Sequence, residues 1–174
     1  MEITITKGLA GDHIAIRRAA GACIETTFPK KGPVPHDAVH FFVEQEMGFA
    51  RGFWGLVAEG RHPEELVELA KAGGHASASR ARVPDAEIVE LLQAERLVEC
   101  FEADLWSGGC DDEALLAMAR TACESSFVPL PALLEATGQQ GVLSRVRDAI
   151  AVFACDWIDG GEGFVARLDW PETA

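Results

Sequence analysis

Period-two alternation stands at both ends of this chain and helical periodicity between them, and that division constrains the fold more than any other feature. Near the start, Ile3 and Ile5 alternate with Glu2, Thr4 and Thr6, and residues 8–12 supply turn chemistry. His13 to Arg17 alternates again, Gly21 punctuates, and Ile24 to Phe28 gives a third β-favouring run. Spacings this short allow only antiparallel hairpins. At the far end Phe164, Ala166, Leu168 and Trp170 alternate with Val165, Arg167 and Asp169 until Pro171 stops the pattern. A lone strand must pair somewhere, and the N-terminal meander offers the only edges. The expectation is one α+β domain over residues 1–174: a four-stranded antiparallel sheet, three strands N-terminal and one C-terminal, covered by five or six helices. At 174 residues the chain is long enough to bury a core without staples or metals.

Prolines and glycines punctuate the middle. Pro35 sits where a first-turn proline suits a helix, and a helix over about 36–47 carries Val39, Phe42, Val43 and Met47 on one side. Phe49 to Gly60 reads as a packed turn and a short helix, and Pro63 opens another helix that residues 73–74 stop. Residues 73–84 read as a mobile loop within the domain. Asp85 is placed to cap a helix over about 85–106, and Asp111 with Asp112 the next, over about 112–124. Pro129 and Pro131 introduce a short helix to Ala136. A last helix over about 142–158 carries Val142, Val146, Ala149, Ile150, Phe153 and Trp157 at helical spacing.

Composition excludes some functions. With 28 acidic against 15 basic side chains and a net charge of −13, the chain lacks the clustered cations that track nucleic-acid phosphates, so no nucleic acid is expected as a partner. No apolar run approaches the roughly 18 residues of a membrane helix, so no membrane is expected either. Five cysteines, at 23, 100, 110, 123 and 155, include no Cys-x-x-Cys pair. With an opening Met1-Glu2-Ile3-Thr4 unlike a signal peptide, they predict reduced thiols and a cytoplasmic protein. Nucleotide-binding glycine loops, a nucleophile elbow and the His-Glu-x-x-His motif are all missing from the sequence.

One constellation carries chemistry. On a helix, His36, His40 and Glu44 fall at about 0°, 40° and 80°, with Asp37 near 100°, bordering the apolar arc. Two histidines four apart can share a divalent metal, and a nearby carboxylate can ligate it or orient water. His36, His40 and Glu44 are therefore the candidate metal ligands, and a divalent metal the one cofactor in view; the other reading is two surface histidines at a helix start, with Asp37 serving the helix dipole and no cofactor bound. Further ligands would come from His62, His75 or the glutamates of the long helix. There Glu95, Glu99 and Glu102 share an arc of about 60° beside the stripe of Leu91, Ala94, Val98, Phe101 and Leu105. Glu46 falls in the middle of the first helix's apolar arc, which predicts either a donor such as Arg51 or a helix distorted before Gly48.

The His36-Asp37 dyad is similar to the signature of the HD phosphohydrolases. Those need an earlier histidine on a preceding helix, and here only His13, on a strand, precedes. The His-x-x-x-His spacing is similar to the metal site of DinB-like bundles, which are all-helical and lack an opening meander. Val34 to Glu44, with Gly52-Phe53-Trp54-Gly55-Leu56, resembles a family of small uncharacterised bacterial proteins. That resemblance implies no activity. Two function classes follow from the residues. The first is an interaction or scaffold protein acting as a homodimer, supported by Phe49, Phe53 and Trp54 if they form an apolar surface patch; the other reading is that Phe53 and Trp54 simply fill the core. The alternative is a metal-dependent or small-ligand enzyme with its site at the first helix.

Overall fold

The computed structural model describes residues 1–18, 21, 23–73, 83–135 and 140–171. Strands β1 (Glu2–Thr6), β2 (Gly11–Arg17), β3 (Cys23–Pro29) and β4 (Val165–Asp169) form one antiparallel sheet in the order β3-β2-β1-β4. The C-terminal strand lies on the edge of β1, as the alternation requires. Register follows from burial. Ile3 lies opposite Ile16 and Leu168, and Ile5 opposite Ile14 and Ala166, so one face of the sheet carries a continuous apolar ladder. Ile3, Ile5, Ile14 and Ile16 are fully buried, and burial of each side chain stabilises the fold by about 1.5–3 kcal/mol.

Seven helices follow among the described residues: α1 (His36–Met47), α2 (Phe53–Ala58), α3 (Pro63–Ala72), α4 (Val89–Ser107), α5 (Asp112–Ser125), α6 (Ala132–Glu135) and α7 (Gln140–Asp159). The number exceeds the expected five or six, and each of the seven, the short α2 and α6 included, falls on a segment whose sequence reads as helical. None of these helices is long and apolar enough to cross a membrane. Residues 74–82, the greater part of the expected loop and the location of candidate ligand His75, lie outside the described residues.

Local chemistry explains several helix boundaries. Pro63 takes the first helical position of α3, and the Asp111 carboxylate accepts from the Ala114 N–H at 2.7 Å to cap α5. Gly48 ends α1 in the left-handed region at φ 67°, which costs a residue without Cβ nothing. Two expectations are corrected. Pro35 is the extended residue before α1 rather than its first helical residue, and Asp85 precedes a 3-10 turn, Ala86–Ile88, without a side-chain cap bond.

Helix α1 runs between two apolar clusters. Ala38 and Phe41 pack towards the sheet with Trp54, Leu56, Val57, Trp157 and Trp170. Val39, Val43 and Met47 pack with Leu97, Val98, Phe101, Leu115, Val146 and Ile150 of α4, α5 and α7. Phe49, Phe53 and Trp54 are 7%, 4% and 0% exposed. The aromatic segment is therefore core, not the surface patch expected for a homodimer interface. Helix α1 also remains regular to Met47. Glu46 meets Arg145 of α7 at 2.7 Å instead of Arg51, so no distortion before Gly48 is needed.

Polar ties fix how α4 and α7 sit. Arg147 of α7 reaches Asp104 at 2.8 Å, Asp112, and the Cys110 carbonyl at 2.9 Å. Lys7, just beyond β1, donates to the Trp157 and Gly160 carbonyls at 2.6 Å each, placing a cation at the negative end of α7. The terminal strand is pinned where the Trp170 N–H donates to the Met1 carbonyl at 2.8 Å and its ring packs edge-on against Phe41. Trp170→Ala should cost about 3 kcal/mol of stability. Urea unfolding would measure it, and a loss below about 0.5 kcal/mol, as for an ordinary surface site, would show that β4 is not docked in this way.

Candidate metal centre

Four residues apart on α1, His36 and His40 stack as neighbours on successive turns, with ring centroids 4.8 Å apart and nearly perpendicular. Facing them is the arc of α4 that carries Glu95 and Glu102. Each imidazole uses its Nδ1 on one carboxylate. His36 Nδ1 lies 3.0 Å from Glu102, and His40 Nδ1 lies 2.9 Å from Glu44. The two Nε2 atoms both face one oxygen of Glu95, at 3.7 Å from His36 and 3.5 Å from His40. The His36 Nε2 is buried and makes no hydrogen bond among the described residues. His36, His40 and Glu95 each offer a ligand atom, all within 4.8 Å of one another.

Glu44 takes another place than the ligand position expected for it. It is fully buried behind His40, and its two oxygens accept from the Phe53 and Trp54 N–H groups at 2.9 Å each, at the start of α2. The helical-wheel reading put Glu44 on a polar border because it assumed one buried face, whereas α1 is enclosed by α2, α4 and α7. Asp37 lies in the first turn of α1, and its carbonyl accepts from the Trp54 indole at 2.9 Å. His62 stands apart, before α3, accepting weakly from the Glu64 N–H at 3.4 Å. Glu99 pairs with Arg96 at 2.9 Å. Of the three glutamates sharing the α4 arc, the structure thus brings Glu95 and Glu102 to the histidines. The signal for them in the sequence was acidic residues beside a buried stripe. No local pattern announced the backbone donors of Phe53 and Trp54.

Side-chain exposure falls from 11% at His36 and 9% at Glu95 to 2% at His40. The cluster therefore approaches solvent on the His36 side and closes against α2 on the other. Burial by itself would lower the imidazole of His40, but the charge of Glu95 and the hydrogen bond to Glu44 push it up to about 10. His36 moves in the same direction: burial lowers it, but the hydrogen bond to Glu102 and the nearby Glu95 carboxylate outweigh that effect. Without a metal the carboxylates thus favour the protonated form of both rings. Three groups of comparable proximity would hold a divalent ion if the rings were neutral. A tetrahedral ion with bonds of about 2.0–2.1 Å sets its ligand atoms about 3.3 Å apart. Two of the three pairs, at 3.5 and 3.7 Å, are already near that spacing, so the donor set fits such an ion.

Comparison of the chain with protein-family models, curated proteins and solved structures finds no match.

Two outcomes follow from this geometry. A pKa raised on folding stabilises the fold fully below the ordinary value of 6.5, and that contribution is lost as pH rises through about 10. After dialysis against EDTA, the melting temperature should therefore fall between about pH 7 and pH 10, with a flatter profile for His40→Gln. The chain has no tyrosine to titrate in that range, and parallel profiles would remove the ion pair from the account. Second, a Cβ at Gly52 would stand 2.5 Å from the Glu44 carboxyl group. That carboxylate has no freedom to yield, so Gly52→Ala should cost about 1–3 kcal/mol. Gly161→Ala, where a Cβ meets open space, serves as the neutral control in the same unfolding experiment.

Proposed function

We propose that the protein is a metal-dependent enzyme that binds one divalent transition ion through His36, His40 and Glu95. The observation supporting this reading is the convergence of two imidazole Nε2 atoms on one Glu95 oxygen, while each Nδ1 is occupied by a different carboxylate. Two histidines and one carboxylate form a ligand set used by catalytic zinc and by non-haem iron. Three protein ligands leave a coordination position for water or substrate, and an ion there supplies an activated water or polarises a substrate oxygen. His36, on the more exposed side, borders that position, whereas His40 is sealed against α2.

Burial of the aromatic segment removes the feature that favoured an interaction protein, so the enzyme reading is preferred. Elemental analysis of protein purified without an affinity tag should find close to one zinc, iron or manganese per chain. Its identity separates water activation at a redox-inert ion from oxygen chemistry at iron. EDTA should lower the melting temperature at pH 7.5, and micromolar Zn²⁺ or Co²⁺ should restore it. The double variant His36→Gln, His40→Gln should neither hold metal nor respond to EDTA. A wild type that takes up no stoichiometric ion, with a melting temperature indifferent to EDTA, would overturn the proposal.

A further inference from the structure

We infer that Glu44 and Glu102 are positioning residues of this centre, each fixing one histidine so that its Nε2 faces the shared point beside Glu95. The inference rests on the metal-binding reading above and adds the role of residues outside the ligand set. An imidazole has two nitrogens, and the partner of one decides which tautomer and orientation the other presents. Here both partners are carboxylates at hydrogen-bond distance, 2.9 Å for His40 and 3.0 Å for His36. A carboxylate accepts, so in the neutral ring each Nδ1 carries the proton and each Nε2 is left as the donor atom for an ion.

The two arms differ in rigidity. Glu44 is fully buried and is held from behind by two backbone N–H groups. The missing Cβ of Gly52 leaves room for the Glu44 carboxyl group. The turn that joins α1 to α2 is itself tied to α4 where the Arg51 N–H donates to Glu90 at 2.6 Å. His40 is therefore fixed by backbone. Among the described residues, His36 is held on its Nδ1 side by Glu102 alone, near solvent, through one side chain from α4.

Cobalt(II) serves as the probe, because its visible absorption reports the geometry of its ligands. Titration of the full chain should give a dissociation constant for wild type, and Glu102→Gln should weaken it about 10-fold or more with an altered spectrum. Glu44→Gln should weaken it nearer 100-fold, since the amide sets a donor against the Phe53 and Trp54 donors. Should that variant not fold, Glu102→Gln carries the test by itself. Glu99→Gln is the control: it removes the same charge from the same α4 arc, where Glu99 pairs with Arg96, and should change affinity far less than Glu102→Gln and leave the spectrum unchanged. If Glu102→Gln matches wild type, or if Glu99→Gln weakens binding equally, the positioning role is overturned while the metal site stands. If wild type binds no cobalt, the metal site itself falls and the positioning role with it.

Discussion

The carboxylate of Glu44 is the contact on which the region around the site depends. An ionised carboxylate removed from water is costly unless it is paired and hydrogen-bonded, and Glu44 is removed completely. Its compensation comes from three donors on two elements: His40 one turn earlier on α1, and the Phe53 and Trp54 N–H groups that open α2. Those N–H groups belong to the first turn of a helix, where backbone donors have no intrahelical partner. One side chain therefore meets two needs: it satisfies the start of α2, and it sets the ring plane of His40. Removing it would leave buried donors unmatched on both sides, which is more damaging than the loss of a single bond.

From that contact the surrounding packing follows. With α2 seated on Glu44, Phe53 and Trp54 enter the cluster that covers the sheet, and the Trp54 indole returns to the Asp37 carbonyl in the first turn of α1. The same α1 turns Val39, Val43 and Met47 into the second cluster. Opposite them, Gln45 reaches the Asp169 carbonyl of β4 at 3.3 Å. Few directions around α1 are left to solvent. A helix surrounded in this way cannot rotate without breaking apolar packing on one side and polar contacts on another, which is how a two-histidine pair acquires a fixed facing.

The same enclosure explains what the sequence revealed and what it hid. The sheet was legible because alternation is a local property: Ile3 and Ile5 announce a face, and Phe164 to Trp170 announce a strand that can pair only with β1. Helix limits were legible where Pro63, Asp111 or Gly48 carried the chemistry of an end. The histidine pair on α1 was legible from spacing alone. The depth of Glu44 was not, because a helical wheel assigns burial to one arc and polar residues to another. In a helix packed on several sides, that assignment fails at the polar residues that have found partners. Glu46 shows the converse error: it sat in the apolar arc on paper, yet Arg145 from a distant part of the chain brings it a partner. Choosing Glu95 and Glu102 over Glu99 required the rotation of α4, which the Arg147 ties and the bond from Arg51 to Glu90 help to set.

Stability does not account for five ionisable groups gathered between two apolar clusters. Buried ion pairs gain little over well-packed hydrophobic residues of the same volume, because desolvation consumes most of the attraction. Leucine and phenylalanine fill the neighbouring positions of α1 and α4, so apolar packing is feasible there. The composition of the cluster is also lopsided. Glu44, Glu95 and Glu102 supply three negative charges, which two protonated imidazoles offset only in part. A divalent ion with both rings neutral offsets the same charge to the same extent. The fold thus tolerates either occupant without rearranging its charge. Groups whose ionisation is displaced by burial and specific charged partners are concentrated at functional sites. Here the displaced groups include the two imidazoles whose Nε2 atoms face a common carboxylate oxygen and the Glu44 carboxyl group, which burial pushes up.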